Sequence, residues 1–417
     1  MTFRRRVEAW KYPAILLFGI GTSNFGAWVY LIALNLIVLD LTQSPLAVAG
    51  LYIARPMAAL LTNTWAGSVI DRINKRRLLI SLDVFRSVLI AVLPFASSMW
   101  TIYALVLVIN MAGAMFEPAS MAYITKLIPA EKRQRFNSLR SLIDSGAFLI
   151  GPAIAGILFM IGTPTAAIYI NAVALLLSAL VLAMMPDLEK GATLASAGGK
   201  VSWSIIREDW RIVLEFSRAS SRTMLVFMLF SCMVVMATAI DSQEASFAKA
   251  VLFLTDSEYG FLVSIAGGGI IAGSVINALF AKKFKTHSLI GFGSLMVAAG
   301  YLIYAFSNSY AVAAVGFFFL AFALAFANTG FHTFTQNNIP VEKMGRIVGM
   351  YSLAEAFLII IATGIVGVAA QVISIQPVVI AAVFVMLAIA ILLFIVCIKQ
   401  PASGVYLLTE KETEAAK

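Results

Sequence analysis

Seven ionisable side chains stand inside long apolar runs of this 417-residue chain: Arg55, Asp83, Arg86, Glu117, Arg140, Asp144 and Glu355. A charge at the centre of a bilayer costs about 2.5 kcal/mol or more on insertion scales, so each such group needs a partner or a task. Two pairs supply their own partner along a helix, Asp83 with Arg86 at i,i+3 and Arg140 with Asp144 at i,i+4. All four lie within about three helical turns of the chain's basic side, and Glu117 falls at similar depth. With Asp71 they are expected to form a charge cluster that gates one end of a membrane passage, in preference to carrying protons. Arg55 and Glu355 have no local partner. Arg55 reads as a cation that meets an acid or an anionic substrate, or as half of a structural pair with Asp40 or Asp241. Glu355 is the better proton exchanger, because desolvation without a nearby cation favours the neutral acid; the bland alternative is a glutamate solvated in a water-filled crevice. Glu117 and Arg55 are the further candidates for coupling.

Two short stretches occur twice. Gly67-Ser68-Val69-Ile70-Asp71 returns as Gly273-Ser274-Val275-Ile276-Asn277, and Ile128-Pro129-Ala130-Glu131-Lys132 returns as Ile339-Pro340-Val341-Glu342-Lys343. The chain therefore reads as one unit duplicated. The second offset lays Glu355 on Asp144, with Arg346 on Arg135 and Ser352-Leu353 on Ser141-Leu142. Tyr351 stands where the first half has Arg140, so the second acid has lost its cation. Asn277 likewise replaces Asp71, and Asn328 aligns with Glu117.

The elements that must position these groups follow from composition. Apolar residues make up 61% and charged residues 12% of the chain, against roughly 45–50% and 25% in a soluble domain. Twelve apolar runs are long enough to cross a bilayer as helices: about 14–38, 46–69, 78–97, 100–122, 138–161, 164–185, 223–240, 258–280, 287–306, 309–330, 347–369 and 373–397. An open sheet would leave backbone groups unbonded in lipid, so the fold class is all-α. The runs divide into two six-helix bundles, 1–185 and 223–400, with a linker at 186–222 and a tail at 401–417. Six spans per half put both halves in the membrane in the same orientation, as in known parallel-repeat transporters. In the linker, Trp203, Ile206, Trp210 and Val213 share one helical face, with Glu208, Arg211 and Glu215 on the other; this suits either a helix lying in the interface or a packed linker helix.

The net charge of +9 does not indicate nucleic acid, since no soluble face is large enough to present it. Of the 30 Lys and Arg, all but Arg55, Arg86, Arg140 and Lys249 fall on one side of the spans. That bias places the basic loops and both termini in the cytoplasm of a plasma-membrane protein. The first run is too long and too polar, at Asn24 and Asn35, for a cleaved signal peptide, and reads as a retained anchor. Cys232 and Cys397 lie within spans, which implies no disulfide framework. His287 and His332 have no ligand spacing, so no metal is expected. A Walker-type phosphate loop is missing, as is any constellation around a nucleophile, so neither an enzyme nor a cofactor is expected.

The loop Gly67-Ser68-Val69-Ile70-Asp71-Arg72-Ile73-Asn74-Lys75-Arg76-Arg77 resembles the signature loop of the major facilitator superfamily. Gly67 would allow close helix approach, Asp71 would accept from exposed amides at a helix N-terminus, and Arg72, Arg76 and Arg77 would meet anionic lipid. The resemblance implies a loop that latches one access state against helix 11. Gly146 and Gly151-Pro152-Ala153-Ile154-Ala155-Gly156 resemble the helix-5 motif of exporters in that superfamily; Pro152 bends the helix, and an ordinary kinked helix is the alternative. Asn24-Phe25-Gly26-Ala27-Trp28, Ala54-Arg55-Pro56 and Glu117-Pro118-Ala119 look like the macrolide-, siderophore- and multidrug-exporter branch, although Ala27 stands where many members have an acid. Spans 1, 4, 7 and 10 line the pathway in the family, which makes Asn24, Trp28, Asn35, Asn110, Met111, Met115, Met233, Met236, Asn328 and His332 the implied cavity residues.

The reading that follows is a monomeric, proton-coupled exporter of hydrophobic or amphiphilic small molecules, working by alternating access. An importer or uncoupled facilitator on the same fold is the first alternative. A non-transporting membrane sensor is the second.

Overall fold

The structure, a computed structural model, describes residues 3–189, 211, 213–280 and 284–399; the side chains of 3–9, 64, 68, 71, 130, 134, 341, 342 and 345 lie outside that description. Asp71 in its side chain, and Trp203, Ile206, Glu208 and Trp210 in whole, on which sequence arguments rest, lie outside the described residues. The helices are α1 (Phe3–Thr42), α2 (Pro45–Arg72), α3 (Lys75–Val92), α4 (Met99–Leu127), α5 (Ala130–Ile161), α6 (Pro164–Met184), α7 (Ser221–Asp241), α8 (Glu244–Ala250), α9 (Asp256–Phe280), α10 (Thr286–Ala305), α11 (Tyr310–Asn338), α12 (Val341–Val372) and α13 (Ile375–Ile398). Among the described residues twelve spans are long and apolar enough to cross a membrane, and the seventh, Ser221–Ala250, takes in the short helix α8 after α7.

Local chemistry explains the breaks. Ser44, Asn74 and Ser309 accept the first free amides of α2, α3 and α11 with their side chains. The repeated Ile-Pro stretch does one job in both halves. Ile128 and Ile339 leave the preceding helix in extended conformation, and Pro129 and Pro340 cap α5 and α12. Their carbonyls accept from Lys132 N at 2.9 Å and Lys343 N at 3.0 Å.

Packing repeats the same symmetry. In the first half α1 packs on α5 and α6, α2 on α4, and α3 on α4 and α6. In the second half α7 packs on α12 and α13, α9 on α11, and α10 on α11 and α13. The halves meet chiefly through one symmetric pair of contacts, α2 with α12 and α5 with α9, with α8 also reaching α1 and α2. These contacts fall toward the end remote from the basic loops. Ser44 Oγ donates to Gln371 Oε1 at 2.7 Å, and Ser264 Oγ donates to the Leu149 carbonyl. Gly156 and Gly260 touch backbone to backbone, Gly267 abuts Leu149, and Gly367 abuts Leu46 and Ala49.

The buried apolar side chains divide in the same way. One cluster joins the halves at the remote end, through Leu36, Val48, Ala155, Phe247, Leu262 and Val379, and runs on within the second half to Ile290, Phe334 and Cys397. At the basic end each half closes on itself, around Tyr123 and Phe136 in the first and around Phe227 and Ile347 in the second. A Cβ on Gly67, Gly146 or Gly349 there would meet nothing within 4 Å. The bundle is shut at one end and parted at the other.

Candidate functional site

The two symmetry-related acids find equivalent partners. Asn24 Nδ2 on α1 donates to Asp144 Oδ1 on α5 at 2.5 Å, and Arg140 Nε lies 3.9 Å from Asp144 Oδ2. Glu355 on α12 is faced by the Ser231 hydroxyl and by Cys232, both on α7. Ser231 stands 207 residues after Asn24, and Glu355 stands 211 after Asp144. Each half thus sets one carboxylate of its long helix against one polar side chain of its opening helix. Asp144 is 46% exposed in its side chain, and Glu355 is half-buried. Asp144 sits five residues, about 7.5 Å of helix, on the parted side of the Leu149 contact.

The surroundings of the two couples differ. Trp28 packs on Phe148 beside the first, with ring centroids 4.4 Å apart. Beside the second, Phe230 stacks on Phe331 at 4.0 Å, and Phe227 contacts both Phe331 and Tyr351. Tyr351, which occupies the place of Arg140, therefore contributes an aromatic face where the first half has a cation. This aromatic group on α7, α11 and α12 was not found from sequence, since phenylalanines are scattered throughout the spans and only packing selects these.

The charge cluster assembles partly as expected. Asp83 is fully buried between α3 and α6, faced by Ser178 and 3.5 Å from Arg86. Arg86 lies over the Phe116 ring. Glu117 is exposed and acts electrostatically on both Arg86 and Asp144. Asp83 thus belongs to the first half's interior rather than to a surface gate, and the Asp71 side chain lies outside the described residues. Arg55 is exposed and takes neither suggested partner; Asp241 accepts instead from the Tyr301 hydroxyl at 2.7 Å.

In the signature loop Asn74, Lys75 and Arg76 engage protein rather than lipid. Arg76 Nε donates to the Leu182 carbonyl at 3.1 Å and its terminal nitrogen to that of Ala183, so it satisfies the open end of α6. Asn74 Nδ2 donates to Asp187 Oδ1 at 2.7 Å. Glu189 receives the Lys75 amide at 2.8 Å, Lys75 Nζ at 3.2 Å and Lys126 Nζ at 2.5 Å. Arg72 and Arg77 are exposed, and Gly67 faces open space. The loop therefore clamps the start of the linker, through two acids that composition alone did not single out.

The Asn74 amide and the Glu189 backbone N–H hold Asp187 below the ordinary carboxylate range. Burial pushes Glu189 up, but the bonds from Lys126 and Lys75 outweigh it and hold it below its usual value. A lowered pKa in the folded state contributes stability above the ordinary carboxylate range and loses it as pH falls through the lowered value. Acidification below about pH 4 should therefore loosen this clamp. Glu189→Gln should cost about 1.5–3 kcal/mol, since it removes bonds to charged donors; thermal unfolding in detergent at neutral pH measures the loss.

The helix-5 motif lies on the seam. Pro152 and Gly156 run along Gly260 of α9, and Gly151 leaves room for the Trp28 side chain. Gly146 faces open space. Among the implied cavity residues, Asn24 bonds Asp144, Trp28 packs on Phe148 one turn further along α5, and Met236, Asn328 and Met111 are half-buried. Asn110 turns back to its own helix at the Val106 carbonyl. Three depart from a cavity lining: Met115 and Met233 are in buried cores, and Asn35 is 1% exposed and bonded to Tyr52 at the shut end. Helical period alone did not separate the faces of such uniformly apolar spans. Val213 is buried against Met224, Phe227, Ile339 and Ile347, which favours a packed linker at that point over a helix floating in the interface.

A family model described as Major Facilitator Superfamily matches residues 16–363 and again 245–415. An uncharacterised MFS-type transporter, YfiS of Bacillus subtilis (strain 168), is 24% identical over 358 residues, 84% of each chain. BacE of Bacillus amyloliquefaciens, provisionally named a bacilysin exporter, is 22% identical over 347 residues, covering 82% of this chain and 84% of its own. The crystal structure of a D323A mutant of the nucleoside transporter NupG superposes with a TM-score of 0.75 at 12% identity, over 92% of this chain and 99% of that one.

Proposed function

The chain belongs to the Major Facilitator Superfamily, and on that premise we propose that it exports hydrophobic or amphiphilic small molecules in exchange for protons. Members of this family are multi-pass membrane transporters of small molecules, not enzymes. The observation that carries the coupling is the pair of acid couples, Asp144 with Asn24 and Glu355 with Ser231. A carboxylate at equivalent depth in each half can change protonation as the halves rock, and Glu355 does so without a cation beside it. The part-exposed rings of Phe331 and Tyr351, backed by the buried Phe227 and Phe230, support an apolar or amphiphilic substrate.

Direction rests on the helix-5 glycines and on BacE, whose name concerns export. The basic loops and both termini would face the cytoplasm, so this conformer is open inward and shut outward, and a monomer contains the whole pathway. NupG, a nucleoside transporter on the same fold, keeps inward or uncoupled transport as the second reading.

Reconstituted vesicles with an acidic interior and a panel of uncharged apolar probes test the proposal. Accumulation several-fold above protein-free vesicles, abolished when an ionophore collapses the pH gradient, is the expected result. Accumulation unchanged by that collapse would establish a facilitator. Probe movement in the same direction as the proton would establish an importer.

A further inference from the structure

A second group of acids lies at the shut end, far from Asp144 and Glu355. Asp241 ends α7 and Glu244 begins α8, and only Ser242 and Gln243 separate them. Around them stand Tyr52 on α2, Tyr259 on α9, and Tyr301 and Tyr304 on α10. Tyr259, Tyr301 and Tyr304 are 1%, 5% and 2% exposed. Tyr301 donates to Asp241 at 2.7 Å, and the Tyr259 hydroxyl faces both Glu244 and Asn35 of α1. Asn35 in turn donates to the Tyr52 hydroxyl at 3.3 Å. Asn35 and Tyr52 belong to the first half, and the acids and the other tyrosines to the second. The network therefore crosses the seam, where α8 also touches α1, α2 and α13.

Its donors and acceptors do not balance. Glu244 Oε1 is shut off from solvent and has no donor in reach, as is Gln243 Oε1 beside it. The Tyr304 hydroxyl, equally buried, faces both acids and has no partner. No Lys, Arg or His among the described residues pairs with either acid; Lys249 on α8 is taken by Asp256 of α9, and Asp40 on α1 lies outside the tyrosine shell. Asp241 and Glu244 are half-buried, and two carboxylates set together without a cation repel each other, which favours neutralising one of them. One added proton removes a charge from the pair and turns a carboxylate acceptor into a donor, for which the Tyr304 oxygen is available.

We propose that Asp241 and Glu244, with their tyrosine shell, bind a proton from the outer medium, and that this proton closes the outer end. When the halves part on that side, water reaches the two acids and both ionise. When a proton neutralises one of them, the network can be buried again and the seam of Gly156, Gly260, Gly267 and Gly367 re-forms. The site rests on the alternating-access reading above, but not on transport direction or on Glu355.

The test uses the full chain in lipid nanodiscs, with Cys232 and Cys397 replaced and spin labels at Trp100 and Val372. These side chains are 82% and 77% exposed, one on each half at the outer end. Lowering pH from 8 to 5 should move the label population from long to short separations. Asp241→Asn combined with Glu244→Gln should leave the short separation in place at every pH. Tyr259→Phe keeps both acids and should retain the response, with its midpoint moved upward. Glu355→Gln should retain an outer-end response, shifted only by the share of the pH dependence that Glu355 itself carries. An outer end in the otherwise unaltered chain that ignores pH would overturn the proposal without any variant, as would a normal response in the double acid variant. Should Glu355→Gln abolish the response, the latch fails while proton-coupled export stands. Should transport prove uncoupled while the response persists in all but the double variant, export fails while the latch stands.

Discussion

Glu355→Gln should reduce proton-driven transport by roughly an order of magnitude or more while leaving substrate exchange at clamped pH largely intact. A gradient can shift a conformational equilibrium only through a group whose proton affinity differs between the states. Glutamine keeps the shape of Glu355 and its contact with Ser231 but cannot take the proton. Asp144→Asn should cost less, because Arg140, 3.9 Å from Asp144, opposes its neutralisation while Glu355 has no such cation. Uptake into vesicles under an imposed pH gradient, compared with counterflow at equal pH, separates the two effects. Full gradient-driven uptake in Glu355→Gln would remove this residue from the coupling mechanism.

Gly267→Val should move the protein away from the conformer in which the outer end is shut. A Cβ at Gly267 would fall on the Leu149 backbone, which cannot yield without separating α9 from α5. Overpacking of this kind costs about 1–3 kcal/mol, and each 1.4 kcal/mol is a tenfold change in the ratio of states. The outer-end label separation should lengthen accordingly. Gly268→Ala is the control. Its new Cβ would meet only the Leu149 Cδ1 at 3.8 Å, an ordinary contact, and the distribution should stay as it was. If both substitutions leave it unchanged, the α5–α9 seam does not set the closed state.

The two predictions draw on different kinds of information. Glu355 could be singled out from residue order, because the duplicated stretches lay it on Asp144 and show Arg140 replaced by Tyr351. The partner of each acid could not. Asn24 and Ser231 become equivalent only once α1 and α7 are seen against α5 and α12, since the offset in that part of the chain differs by several residues from that of the acids. Gly151, Pro152 and Gly156 stood out as a motif, yet Gly260 and Gly267, which complete the seam from the other half, had no motif around them. The signature loop was legible as a motif but not in its contacts, because Asp187 and Glu189 lie more than a hundred residues from Asn74 and Lys75.

Amino-acid order alone determined the twelve spans, their division into two like halves and the positions of the intramembrane charges. Those features answer to the solvent: lipid admits only helices of a certain length and penalises every unpaired charge, wherever its neighbours lie. Tertiary structure alone decided which end is shut, which apolar faces meet, and that Asp241 and Glu244 share one tyrosine-lined enclosure. In spans apolar on every side, side-chain pattern carries little information about facing, and only the packing of one helix on another selects the partner.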